Sequence, residues 1–351
     1  MAKHKIRDQC EYIARDEFFN GWKQAFEYHG HRVLIDGRNS YLLPPKLAYS
    51  FPRLYRFFHR LLKKTGIIPF DEYLLSKSIG KKARSNNVDL IFTEINDFLD
   101  GKVVKKYLNQ GLLTQWFGVY PDMVSEKVRK RLADYDMVWC PVEYEEMLKE
   151  GGVNFSRFFY LGASFDEKML YHQPDLNYSH DVSFVGGITG HHKGRIEILE
   201  KVAENYESFA FWGYGIEYVK KNSILRERFK GRAEIDDMRK IYSSSKISIN
   251  IPLDNYERVS KGFNARLFEI PPCRGALQMV QHNENVADFF VPGEEVICFH
   301  GVDDLVEKIR YYLQNEDERR KVVENAFNKS FDFTYKNRAE KLLEIATGKY
   351  R

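Results

Sequence analysis

Cysteine is scarce: Cys10, Cys140, Cys273 and Cys298 are the only four in 351 residues. Their scattered spacing excludes a disulfide framework and offers no zinc cluster. No run approaches the roughly 20 apolar residues of a membrane-spanning helix. The start, MAKHKIRDQCEYIARDEFF, lacks the apolar core of a secretory signal, so a cytoplasmic location is expected. Charge of one sign is lacking too. The 54 Lys and Arg against 50 Asp and Glu leave a formal net charge of +4, too mild to call for nucleic acid as a partner. There is no internal repeat and no low-complexity segment.

What the chain does have is length and alternation. At 351 residues it exceeds the size at which one hydrophobic core stops growing, so two domains are expected. Short apolar runs rich in β-branched and aromatic residues recur at 31–36, 88–95, 112–119, 137–141 and 158–162, with helical stretches between them. Such runs suit strands of a parallel sheet covered by helices on both faces. The polar stretch 163–180, with Gln173-Pro174-Asp175, breaks the rhythm and reads as a linker. Strands are then expected at 182–187, 209–215, 247–252, 276–280 and 296–299, and helices near 192–205, 236–244 and 303–314. The predicted organisation is α/β, with a Rossmann-like domain over 1–175, a second over 176–334, and a helix over 335–351 that returns to the first domain.

The segment Lys261 to Ala276, KGFNARLFEIPPCRGA, carries the sharpest chemistry. Asn264 suits the cap of a helix on which Arg266 and Glu269, three residues apart, share a face. A guanidinium offers a rigid fork of donors to diphosphate oxygens, while a carboxylate accepts from two adjacent ribose hydroxyls. The helix N-terminus would reinforce the phosphate contact. The plainer alternative is a weak surface ion pair. Position argues against it, because this segment and a glycine loop both fall at the carboxyl ends of strands, where open α/β sheets bind ligands.

That loop runs GGITGHHKGR, from Gly186 to Arg195. Gly187 would let backbone approach an anion, and either Arg195 or Lys193 would neutralise charge on a departing diphosphate. The spacing is not that of a Walker loop. His191 and His192 have no carboxylate or cysteine at ligand spacing, so no metal is expected and His191 is read as a phosphate hydrogen-bonding or plain loop residue. Tyr214, between Gly213 and Gly215, stands either in a tight turn or beside a nucleobase. Residues 52–70 form a basic amphipathic stretch that suits anionic lipid or acceptor, or else covers a sheet as an ordinary domain helix. Asp122, Glu94 and Asp97, at strand ends of the first half, are the candidates for a general base.

Taken in order, FVGG…HHKGR, FWGYG, IYSSSKISINI, NARLFEIPPCRGALQMV and FFVPGEEVICF resemble the CgeB-like group 1 glycosyltransferases of GT-B fold. The resemblance is good over residues 180–340 and holds only in outline over 1–175. It implies two Rossmann-like domains flanking a cleft, and transfer of a sugar from a nucleoside-diphosphate sugar to an acceptor hydroxyl. Glu269 would hold the ribose, Arg195 and Arg266 the diphosphate, and the Gly213 to Gly215 turn would border the base. No metal or other cofactor is implied. The partners would be the sugar nucleotide and a glycan, lipid-linked or other hydroxyl acceptor, with peripheral contact at the inner membrane face through 52–70. An epimerase or phosphorylase on the same fold, or a non-catalytic nucleotide-binding or coat-associated protein, are the alternatives. Two positions depart from the family pattern. Lys261 stands where many members carry a second glutamate eight residues before Glu269. Pro271-Pro272 replace small residues and are expected to end the helix early.

Overall fold

The apolar runs become eleven strands among the described residues, every neighbouring pair parallel. The computed structural model describes residues 11–14, 20–35, 61, 67–94, 99–108, 112–116, 132–140, 158–188, 193–251 and 264–348. Two units result, one of residues 1–161 with 335–351, the other of residues 162–334.

In the first unit β1 (Glu11–Ala14), β2 (Arg32–Ile35), β3 (Leu90–Glu94), β4 (Leu112–Trp116), β5 (Met137–Cys140) and β6 (Phe158–Tyr160) pair in the order β2-β1-β3-β4-β5-β6. Helix α1 (Asn20–Tyr28) buries Trp22, Ala25 and Phe26, the i, i+3, i+4 spacing of a single apolar stripe. It stops at Gly30, whose φ of +83° is open to glycine at little cost. Helices α2 (Ile67–Ser85) and α3 (Gly101–Lys105) follow, and Asp100 caps α3 by accepting from the Val103 N–H at 3.1 Å.

The second unit holds β7 (Val182–Val185), β8 (Phe209–Trp212), β9 (Ile247–Asn250), β10 (Leu277–Gln281) and β11 (Ile297–Phe299), ordered β11-β10-β9-β7-β8. Its helices are α4 (Lys193–Asn205), α5 (Leu225–Arg228), α6 (Ile235–Ser244), α7 (Arg266–Glu269), α8 (Val302–Gln314) and α9 (Glu316–Ser330). The two faces of this sheet differ in chemistry. Val182, Phe184, Ile247, Ile249, Leu277 and Met279 pack with Leu199 of α4, Leu305 of α8 and Val322 of α9. The opposite face carries Ser183, Ser248, Asn250 and Gln278, all buried, with Ser248 in register between Ser183 and Gln278.

The last helix, α10 (Tyr335–Thr347), belongs to the first unit. Its Ala339, Leu342, Leu343 and Ala346 share a core with Trp22, Phe26, Phe92 and Trp139. Gly21 is where α1 and α10 meet, since a Cβ there would enter the Tyr335 ring.

The segment 163–180 is built into the second unit. Arg239 of α6 donates to Gln173 Oε1 at 2.7 Å, the Gln173 N–H donates to Ser243 Oγ at 2.9 Å, and His172 Nδ1 meets the Cys273 carbonyl at 2.7 Å. Polar composition there reflects hydrogen bonding to a neighbour. Two elements escape a periodicity reading: β1, four residues among charges, and α9, whose apolar stripe is only Val322, Val323 and Ala326.

Candidate functional site

In the second sheet the first strand, β7, lies beside the third, β9, so connections leave these neighbours in opposite directions. A doubly wound sheet offers its binding crevice at the carboxyl ends of such a pair. Gly186, Gly187 and Ile188 follow β7 there, alongside the turn after β8: the Gly186 N–H donates to the Trp212 carbonyl and the Ile188 N–H to the Tyr214 carbonyl, each at 2.8 Å. Gly213 and Gly215, with φ of +150° and +91°, make this approach possible, because a Cβ on either would collide with the Gly186 or Ile188 carbonyl. Tyr214 is 55% exposed and lays its ring against Gly187, where any side chain would strike it. Gly187 and Tyr214, two separate sequence candidates, are therefore one structural unit.

Arg266 reaches the same loop. Its Nη2 lies 3.4 Å from the position a Gly186 Cβ would take, while its carbonyl accepts from Gln278 Nε2 at 2.9 Å. Arg266 Nε makes no hydrogen bond. Glu269 stands one helical turn on, in α7. The two form no ion pair, so they are not the mutually satisfied surface pair of the plainer sequence reading. Glu269 nevertheless feels the cation: burial pushes its carboxyl pKa up, and the Arg266 charge draws it partly back. Tyr242, fully buried at the end of α6, faces both, and burial drives its phenol pKa upward. Cys273 packs below, its thiol raised by burial and then by Glu269.

Arg195 has a different place from the one its charge suggested. It is 3% exposed, and its Nη1 and Nη2 donate to the Gly187 carbonyl at 2.5 Å and the Ile251 carbonyl at 2.7 Å. The guanidinium thus clamps the loop after β7 to the chain after β9. Asn264 is not the helix cap. Ala265 occupies that position, no side chain caps α7, and the Leu267 N–H is satisfied by the Asn264 carbonyl at 3.2 Å. The helix is only four residues long, because Pro271 and Pro272 start a separate 3-10 turn that ends at Arg274 with φ of +53°.

His191, Lys261, Asp97 and Asp122 lie outside the described residues, as do the side chains of Lys193, which starts α4, and of Glu94, which ends β3. The stretch 52–70 lies almost wholly outside them. Among the described residues no cluster of three or more His, Cys, Asp or Glu could hold a metal ion, and no helix is long and apolar enough to cross a membrane. Sequence reasoning missed Tyr242, Asn250 and Gln278. The signal for Asn250 and Gln278 was present, as polar residues inside strands otherwise built of Ile, Leu, Met and Val.

Residues 195–344 match a family model described as glycosyl transferase-like. No curated protein matches the chain. Among solved structures, sucrose-phosphate synthase from Thermosynechococcus elongatus superposes with a TM-score of 0.61 at 14% identity, covering 96% of this chain and 98% of that one. A glycosyltransferase from Rickettsia africae ESF-5 does so with 0.63 at 13%, covering 97% and 99%. Anabaena Alr3699/HepE, solved in complex with UDP-glucose, gives 0.63 at 13%, covering 97% and 100%. At such identities the likeness is one of fold: this chain has the fold of the GT-B glycosyltransferases, and its residues 195–344 match the glycosyl transferase-like family.

Proposed function

We propose that this protein is a glycosyltransferase of the CgeB-like group that moves a sugar from a nucleoside-diphosphate sugar to an acceptor hydroxyl. The observation that carries the reading is the meeting of Arg266 with the Gly186-Gly187 loop at the strand-order reversal, with Glu269 one turn away. A glycine loop that a ligand can approach closely and a guanidinium beside it suit a diphosphate, and a carboxylate one turn away suits a ribose. Tyr214, exposed and lying against Gly187, is read as bordering the base. Uridine diphosphate is the nucleotide to test first, since Anabaena HepE is described with UDP and with UDP-glucose.

In the reaction the sugar's anomeric carbon loses its bond to the diphosphate and gains one to the acceptor oxygen, while the acceptor proton passes to a base. Arg266 stabilises the negative charge that develops on the leaving diphosphate. The base is assigned to the group Glu94, Asp97 and Asp122, and no resident metal is invoked. Contact of residues 52–70 with an anionic membrane or acceptor belongs to the same proposal.

The test is a titration of the protein with UDP and UDP-sugars by calorimetry, followed by donor turnover with and without EDTA. Arg266→Ala and Glu269→Ala are each expected to weaken UDP binding by about tenfold or more, with turnover insensitive to EDTA. Unchanged UDP affinity in both variants would remove the site assignment. Product formed without an acceptor would point to an epimerase or phosphorylase instead.

A further inference from the structure

Arg266 spans three strands. Its carbonyl is held over β10 by Gln278, and its guanidinium lies against Gly186, just past β7. The strand between β10 and β7 is β9, so the arginine side chain crosses the carboxyl end of β9. Register says which face it crosses. Gln278 pairs with Ser248, and Asn250, two residues on, shares that face. Ile247, Ile249 and Ile251 point the other way into the apolar core. Asn250 is thus the last β9 side chain on the face where Gln278 holds the Arg266 backbone.

Asn250 is fully buried, and neither its Oδ1 nor its Nδ2 has a hydrogen-bond partner. Arg266 Nε, a donor, is equally without one. Buried amides with both ends unpaired are rare and unfavourable enough to call for a role. The backbone around Asn250 is also fixed, because Arg195 holds the next carbonyl, that of Ile251, to the loop after β7.

We propose that Asn250 is a positioning residue for Arg266: when a diphosphate binds at the Gly186-Gly187 loop and the guanidinium turns to meet it, Arg266 Nε–H donates to Asn250 Oδ1. That bond sets the plane of the guanidinium and aims both Nη groups at phosphate oxygens, the fork geometry an anion needs. The inference rests on the diphosphate reading of the site.

A double-mutant cycle tests it. The full-length protein, Asn250→Leu, Arg266→Ala and the double variant are titrated with uridine, UDP and inorganic pyrophosphate, with melting temperatures recorded. Asn250→Leu is expected to weaken UDP and pyrophosphate binding about tenfold, to leave uridine binding unchanged, and to add nothing once Arg266 is alanine. Additive losses, or equal losses for uridine and UDP, would assign Asn250 to general packing and overturn the inference. If Asn250→Leu does not fold, Asn250→Ser carries the same cycle with the same expected outcomes. Wild-type protein that binds none of the three probes removes the diphosphate reading and this inference together. Wild-type binding without coupling between Asn250 and Arg266 removes this inference alone.

Discussion

At Glu269 the stability cost of burial stands against the binding role proposed for it. Burial raises its pKa in the folded chain above the ordinary carboxylate value, against the pull of Arg266. The fold therefore favours the neutral form: the stabilisation is fully present in acid and is lost as pH rises through the raised folded pKa. Glu269→Gln is expected to raise the melting temperature of the ligand-free protein at neutral pH, the difference from wild type vanishing as the solution is acidified. Donor binding should run the opposite way. Accepting from two ribose hydroxyls, one at each oxygen, requires the ionised form, so UDP affinity of the wild type should fall on acidification through that same pKa, while the glutamine variant should bind weakly with little pH dependence. Calorimetry across pH checks both the slope and its loss. Glu269 and Arg266 were legible in the sequence because a charged pair at helical spacing is a local pattern. Asn250 showed only as a polar residue inside an apolar strand, and Tyr242 not at all, because nothing within a few residues of either says what packs against it.

At the scale of elements, the site depends on two adjacent loops held by backbone. Arg195 makes two charge-assisted bonds to carbonyls that burial would otherwise leave unpaired. Arg195→Leu should cost about 3 kcal/mol or more in denaturant unfolding, and Arg195→Lys should restore only part of it, since an ammonium cannot reproduce the fork. Gly215→Ala is expected to cost about 1–3 kcal/mol, combining an unfavourable φ with a Cβ driven into the Ile188 carbonyl. Both variants should weaken UDP binding beyond their effect on stability, because each displaces Gly187. The strands were readable as apolar runs and largely fall where expected. The length of α7 was readable too, because proline cannot continue a helix. The cap was not: Asn264 has the right chemistry, but a one-turn helix closes on backbone carbonyls and leaves its side chain unused.

At the scale of the molecule, residues 335–347 pack into the first unit. Helix α10 completes the core that α1, β3 and β5 begin, although residues 162–334 of the second unit lie between them in the chain. Leu342→Ala is expected to destabilise the first unit by about 2–5 kcal/mol, as for other buried leucines truncated to alanine. A probe confined to that unit, such as hydrogen exchange at β3, would show it, while amides of β9 should be unaffected if the unit unfolds independently. The sequence by itself determined the alternation of strand and helix, the parallel sheets and the pair Arg266 and Glu269, because periodicity and side-chain chemistry act over a few residues. Tertiary structure alone decided that Arg195 is a clamp, that Tyr214 lies on Gly187, and that the arginine of KGFNARLFEIPPCRGA reaches the loop after β7. Those outcomes depend on strand order and register, which bring together residues 8 to 80 positions apart and which no local pattern records.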